Sequence, residues 1–165
     1  MSEPYEEFLD GEKFLRLPPR GRHEEICQRL HERFAACVVA LSSCKLLPPR
    51  TAVQVAERTV LRPDLALVTA DNERLWFVVE VINHEDHHAD TVEKKTIYEQ
   101  LKLPRLWMVD PRYDNVEIYH GSTYGLALKH IAANRDLLTE SMLPGFQLAV
   151  TELFAGGPAR GKYDL

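Results

Sequence analysis

The sequence has few cysteines and no long apolar run. Both features argue against particular classes of protein. It contains three cysteines, Cys27, Cys37 and Cys44, and no two of them have the close spacing of a zinc-binding pair. We therefore expect reduced thiols and a cytoplasmic location. No run of about 18 apolar residues is present, which excludes a membrane-spanning helix. The acidic start, up to Lys13, lacks the apolar stretch of a secretory signal.

The length and the charge distribution set the next limits. A chain of 165 residues has the usual size of one domain, and we expect that domain to cover residues 1–155, with a flexible tail over 156–165. The net charge is −5, but residues 11–50 carry eight Lys or Arg against four Glu. A basic segment beside an acidic body is typical of a nuclease with an acidic metal site, and equally of a solvated helix face. The charge pattern leaves both interpretations open.

The first part of the chain predicts a hairpin followed by a helix. Residues 5–9 and 12–17 flank Asp10-Gly11, a dipeptide that tolerates the positive φ values of a tight turn. Pro18-Pro19 ends the second strand, because proline lacks the N–H that a sheet requires. Apolar residues then recur at helical spacing from about Arg22 to Ala40.

The pattern changes to strands after Pro48-Pro49. The segment Trp76 to Ile82 is almost wholly apolar, as expected of a central strand buried on both faces. A helix is predicted from about Thr91 to Lys102, with Ile97 and Leu101 packed on the sheet. Further strands are predicted at Leu65–Val68, Leu106–Val109, Val116–Tyr119, Tyr124–His130 and Gln147–Val150.

Two acidic residues in these strands are the strongest candidates for chemistry. Glu80 lies within an apolar strand, where an unpaired charge would cost several kcal/mol, so it indicates either an ion pair or a metal ligand. Asp64 alone is typical of a turn at the start of a strand. If the two strands pair antiparallel across Asp71-Asn72, however, both carboxylates meet at one end of the sheet. Neighbouring carboxylates repel one another unless a proton or cation lies between them, which suits Mg²⁺.

A phosphodiester-cleaving site also needs a positive group, and the position two residues after Glu80 holds Ile82. Lys94 is the best replacement, since it begins the following helix and shares a helix face with Tyr98. Lys95 is the competing choice, and we expect it to point to solvent.

This ordered set of residues resembles the PD-(D/E)XK nuclease superfamily with a displaced lysine, and more closely the Uma-type family of bacterial restriction endonucleases. The similarity spans roughly residues 5–155. Its motifs are Glu7-Phe8-Leu9-Asp10-Gly11-Glu12, His23-Glu24-Glu25-Ile26, Pro63-Asp64, Val79-Glu80-Val81-Ile82, Asp90-x3-Lys94-x3-Tyr98, Trp107-Met108-Val109-Asp110-Pro111, Leu143-Pro144-Gly145 and Leu153-Phe154.

The resemblance implies an α/β fold: a restriction-endonuclease-like mixed β-sheet core flanked by helices, with an N-terminal β-hairpin. It implies that Asp64, Glu80 and the Val81 carbonyl hold Mg²⁺ or Mn²⁺. Lys94 would orient the attacking water or stabilise the phosphorus centre. Glu7 would be an auxiliary acid of the site, although a solvated strand glutamate is the simpler interpretation.

One segment departs from the family pattern. His84, His87 and His88 occupy the loop after Glu80, where they either bind Zn²⁺ or are exposed loop histidines. The leading hypothesis is a metal-dependent DNA endonuclease that acts as a homodimer on double-stranded DNA. The alternatives are a catalytically inactive binding or assembly module with the same fold and, more distantly, a zinc hydrolase.

Overall fold

The N-terminal hairpin forms where the sequence predicts it. In the computed structural model, which describes residues 3–18, 20–83 and 89–157, strands β1 (Tyr5–Leu9) and β2 (Glu12–Arg16) pair antiparallel. Asp10 and Gly11 connect them with φ values of 52° and 84°, the conformation that a two-residue primed turn requires. The histidines at 84, 87 and 88 and residues 158–165 of the predicted tail lie outside the described residues.

The remaining predicted elements follow in the same order, together with further short strands and a short third helix. The described helices are α1 (Arg22–Val38), α2 (Lys94–Gln100) and the short α3 (Val150–Leu153), and a π-helical turn (Ala89–Glu93) leads into α2. The further described strands are β3 (Cys44–Leu46), β4 (Val53–Ala56), β5 (Thr59–Leu61), β6 (Leu65–Thr69), β7 (Leu75–Val81), β8 (Arg105–Asp110), β9 (Asn115–Ser122), β10 (Gly125–Ala133), β11 (Leu137–Thr139) and β12 (Gln147–Ala149).

A mixed six-stranded sheet forms the centre of the molecule, in the order β10-β9-β8-β7-β6-β3. Strands β7 and β8 are parallel, and the other neighbouring pairs are antiparallel. The prediction of a central strand at Trp76–Ile82, paired with the strand that begins near Asp64, is therefore confirmed. The hairpin joins β5 and β4 in a separate four-stranded sheet of order β2-β1-β5-β4.

The α1 face of the central sheet carries an aromatic core. Phe34 of α1 packs edge-on against Phe77 of β7 and Trp107 of β8, with ring centroids 5.3 and 5.7 Å away. Phe146 completes this cluster at 4.9 Å from Phe34. Edge-to-face contacts of this kind add to the burial of apolar area, so Phe34 attaches α1 to the middle of the sheet.

The opposite face is covered by α2 and the small sheet. Val78 of β7 packs there with Tyr98 of α2 and Leu9 of β1, and Ile97 and Leu101 pack at the edge of this cluster as expected. Because side chains alternate along a strand, Glu80 projects to the same face as Val78. The fold thus places the Glu80 side chain in a layer that is largely apolar.

Several boundaries differ from the predictions. Helix α1 ends at Val38, and α2 ends at Gln100, shortly before Lys102 adopts a left-handed φ of 56°. The last strand stops at Ala149, because Val150 begins α3. Of the described helices, none has both the length and the apolar composition to cross a membrane. The single-domain boundary at residue 155 stays a prediction.

Phe34→Ala should lower the free energy of unfolding by about 3–5 kcal/mol, because it leaves a cavity among three aromatic rings. Urea denaturation monitored by tryptophan fluorescence measures this loss. Tyr124→Ala is the control: this side chain is 99% exposed, so the change should stay within about 0.5 kcal/mol. Equal losses in both variants would contradict the packing described for α1.

Candidate active site

A lysine between two buried glutamates forms the centre of the site. The Lys94 Nζ lies 2.5 Å from Glu80 Oε2 and 2.8 Å from Glu7 Oε2. Each of these three residues is at most 1% exposed. We call Glu7, Lys94 and Glu80 the Lys94 triad. The expected contact between Lys94 and one of the strand carboxylates is present.

Each member of the triad comes from a different element. Glu80 projects from the central strand β7, Glu7 from β1 of the small sheet, and Lys94 begins α2. Tyr98, one turn after Lys94, donates its hydroxyl hydrogen bond to Glu80 Oε2 at 2.6 Å. The shared helix face of Lys94 and Tyr98 therefore brings two donors to one carboxylate.

Glu7 is held by further donors. Arg16 Nη1 donates to Glu7 Oε1 at 3.0 Å, and the backbone N–H of Arg62 donates to Glu7 Oε2 at 2.7 Å. In β1 the inward-facing residues are Glu7 and Leu9, so alternation along the strand turns the glutamate away from solvent. The interpretation of Glu7 as a solvated strand residue is wrong.

Asp64 lies beside the triad at the start of β6. Leu65 pairs with Val79, so Asp64 lies one register step further along, level with Glu80. Its Oδ2 accepts a hydrogen bond from the Val81 N–H at 2.8 Å, and its Oδ1 accepts one from Arg50 Nη1 at 3.2 Å. The antiparallel pairing thus brings the two acidic strand ends together.

The charge of Asp64 affects its neighbours. Burial raises the pKa of the Tyr5 hydroxyl well above its usual value, and the nearby Asp64 carboxylate raises it further. Burial disfavours the charged form of Arg50, but the combined attraction of Asp64, Cys27, Glu24 and Tyr5 outweighs that effect, and the pKa of the guanidinium is raised. Arg50 also contacts Glu24 Oε2 at 3.2 Å, so it remains charged between two carboxylates.

The Val81 carbonyl, a predicted metal ligand, has a protein partner. His23 Nε2 lies 2.8 Å from this oxygen, and because a carbonyl only accepts, the histidine nitrogen must donate. The carboxylates of Glu7, Asp64 and Glu80 supply oxygen atoms, the ligands that Mg²⁺ and Mn²⁺ prefer. By chemical type, this donor set suits a hard divalent cation.

Lys95 differs from its prediction. Its Nζ lies over the ring of Tyr119, 4.5 Å from the centroid, rather than pointing to solvent. Strand β9 presents that ring, and sequence spacing along α2 carries no information about β9. Because Lys94 is buried between two carboxylates, Lys94→Ala should weaken the fold.

Sequence reasoning did not single out Arg16 or Arg50, and it named His23 only within a family motif, with no role. A signal existed for Arg16, because the hairpin register places it diagonally across from Glu7, whose direct partner is Phe14. For Arg50 and His23 the contacts depend on the packing of distant segments, so local spacing carried no signal.

Lys94→Met should lower the free energy of unfolding at neutral pH by about 3–5 kcal/mol, because it leaves two buried carboxylates without their shared cation. The double variant Lys94→Met/Glu80→Gln should lose less stability than the sum of the two single losses, by about 1 kcal/mol or more. Urea denaturation of the wild type, the two single variants and the double variant measures this coupling between Lys94 and Glu80.

Lys95→Met is the matched control for this cycle. It removes the neighbouring lysine from the face of Tyr119 and should cost no more than about 1 kcal/mol. Purely additive effects of the Lys94 and Glu80 substitutions would contradict the triad.

Comparisons with known proteins agree with this architecture. A crystal structure of a protein from Anabaena variabilis, described as a "putative nuclease belonging to DUF820", superposes with a TM-score of 0.76 at 14% identity. The similarity covers 93% of this chain and 91% of that chain, and it shows the fold. No curated protein matches the chain. Residues 2–151 match the Uma2 family, described as "Putative restriction endonuclease", which supports a nuclease function, and the chain belongs to that family.

Proposed function

We propose that the protein is a Mg²⁺- or Mn²⁺-dependent DNA endonuclease that hydrolyses phosphodiester bonds at Asp64, Glu80 and Lys94. The observation that carries this proposal is the buried Lys94 triad beside Asp64. Buried ion pairs contribute little net stability, since desolvation offsets their attraction. Clusters of such charges are instead typical of functional sites.

Asp64, Glu80 and the Val81 carbonyl would hold the cation, as the family resemblance implies. A bound Mg²⁺ or Mn²⁺ supplies a Lewis acid and lowers the pKa of its bound water. The side chains around it prepare this site. Arg50 offsets the charge of Asp64, and Lys94 offsets that of Glu80, so the acids stay close together before any cation arrives.

Lys94 then has a second role in the proposed reaction. Its ammonium would face the negative charge that develops on the phosphate during hydrolysis, and a positioned cation in a dry site stabilises such charge strongly. Glu7 would hold the ammonium in position from the opposite side, since it contacts Nζ at 2.8 Å. Tyr98 would fix the orientation of Glu80 through its hydroxyl.

Double-stranded DNA is the proposed substrate. Cleavage of both strands of a duplex requires two sites, and a two-fold homodimer supplies two equivalent ones. We propose this assembly by analogy with restriction-like enzymes alone.

One observation favours a second candidate, an inactive binding or assembly module. The proposed metal ligands already have protein partners. Lys94 and Tyr98 contact Glu80. Arg50 contacts Asp64, and His23 contacts the Val81 carbonyl. If these contacts never exchange, no cation can enter. Cation binding therefore separates the two candidates.

Purified protein should nick or linearise supercoiled plasmid in the presence of Mg²⁺ or Mn²⁺, and Glu80→Gln should reduce the rate about 100- to 1,000-fold. Agarose gels measure the conversion. Glu73→Gln is the control, because this exposed glutamate pairs only at the surface with Lys45 and should retain wild-type cleavage. A wild-type rate in Glu80→Gln would contradict the assigned site.

Calorimetric titration should show Mn²⁺ binding that weakens at least about tenfold, equivalent to ~1.4 kcal/mol, in Asp64→Asn. Lys94→Met should bind Mn²⁺ at least as tightly as the wild type, because it removes a cation that competes for Glu80. The same variant should fail to cleave. Absence of Mn²⁺ binding in the wild type would favour the inactive module.

A further inference from the structure

A second group of potential metal ligands lies on the α1 side of Asp64. One ligand atom from each of His23, Cys27 and Asp64 lies within 4.8 Å of the other two. His23 and Cys27 are four residues apart on α1, so they share one face of the helix. Cys27 is a free, buried cysteine and Asp64 is buried, whereas His23 is partly exposed and gives solvent access to the group.

The hydrogen bonds of His23 fix which nitrogen can bind a metal. Its Nε2 must carry the hydrogen, because it donates to the Val81 carbonyl at 2.8 Å. In the neutral ring the lone pair is then on Nδ1, and this atom lies 3.8 Å from Cys27 Sγ. Metal-binding histidines usually donate their second N–H to a carbonyl or carboxylate in this way. His23 is therefore preorganised as a ligand.

We propose that His23, Cys27 and Asp64 form a Zn²⁺ site separate in chemistry from the proposed Mg²⁺ site. One imidazole nitrogen, one thiolate and one carboxylate are typical zinc ligands, whereas Mg²⁺ avoids sulfur. Tetrahedral zinc with ordinary bond lengths places such ligand atoms roughly 3.3–3.6 Å apart. The 3.8 Å between His23 Nδ1 and Cys27 Sγ is already near that spacing. A water molecule would fill the fourth position.

Charges and protons balance when the site binds Zn²⁺. Zn²⁺ binds Cys27 as a thiolate, so the thiol proton is released to solvent, and His23 remains neutral. The thiolate and the Asp64 carboxylate together neutralise the two charges of the metal. Arg50 Nη1 must leave Asp64 Oδ1 and Cys27 Sγ, which it contacts at 3.2 and 4.0 Å. Arg50 retains Glu24, which already lies 3.2 Å from its Nη2. Asp64 keeps its hydrogen bond from the Val81 N–H through Oδ2.

Asp64 belongs to both sites, which has a regulatory consequence. Zinc on Asp64 would withdraw this carboxylate from the hard cation, so Zn²⁺ should inhibit cleavage even with Mg²⁺ in excess. This consequence rests on the proposed endonuclease function, whereas zinc binding itself does not.

Co²⁺ titration of the wild-type protein tests the site directly, because a bound thiolate gives an intense thiolate-to-cobalt charge-transfer absorption. We expect this band in the wild type, its loss in Cys27→Ser, and its retention in Cys37→Ser, which removes another thiol of the same helix. Saturating Zn²⁺ should displace the cobalt and abolish the band. Absence of the band in the wild type, or its persistence in Cys27→Ser, would overturn the proposal.

Zinc affinity, measured by competition with a chromophoric chelator, distinguishes this site from the proposed Mg²⁺ site. Asp64→Asn should weaken Zn²⁺ binding at least about tenfold, whereas Glu80→Gln should leave it unchanged. Equal zinc affinity in the wild type and Asp64→Asn would contradict the ligand set. If the protein binds zinc through Cys27 but never cleaves DNA, the endonuclease proposal fails and the zinc site stands. If it cleaves DNA without binding zinc, the zinc proposal fails and the endonuclease proposal stands.

Discussion

The Lys94 triad is the interaction on which the rest of the site depends. It joins the central sheet, the small sheet and α2 through one ammonium group, at distances of 2.5 and 2.8 Å. None of these three charges would be tolerated alone in an apolar layer, because each would lose its hydration without compensation. The hairpin, the central strand and the start of α2 must therefore reach their positions together.

This constraint also explains the groups around the triad. Arg16 and the Arg62 N–H donate further hydrogen bonds to Glu7, and Tyr98 donates one to Glu80. Arg50 forms an ion pair with Asp64, as Lys94 does with Glu80. In the proposed enzyme, these two cations hold the acids of the site close together before a divalent cation takes over that role.

The sequence predicted the elements whose signals are local. Asp10-Gly11 specified the hairpin, the apolar run around Glu80 specified the central strand, and helical spacing linked Lys94 with Tyr98. Contacts between distant segments had no such signal. Lys95 meets Tyr119 of β9, which is distant from α2 in sequence, and Arg50 reaches Asp64 from a loop where its own φ is 56°. Residues linked by local spacing were thus easier to predict than contacts between distant segments.

The central claim is that Asp64 and Glu80 bind a divalent cation when Lys94 moves aside. Crystals of the protein soaked in Mn²⁺ test this claim most directly, since manganese scatters anomalously and its position is unambiguous. The account predicts an anomalous peak bonded to carboxylate oxygens of Asp64 and Glu80, with the Lys94 ammonium displaced from Glu80 Oε2. A saturating soak with no peak at these carboxylates, and with Lys94 still between Glu7 and Glu80, would contradict it.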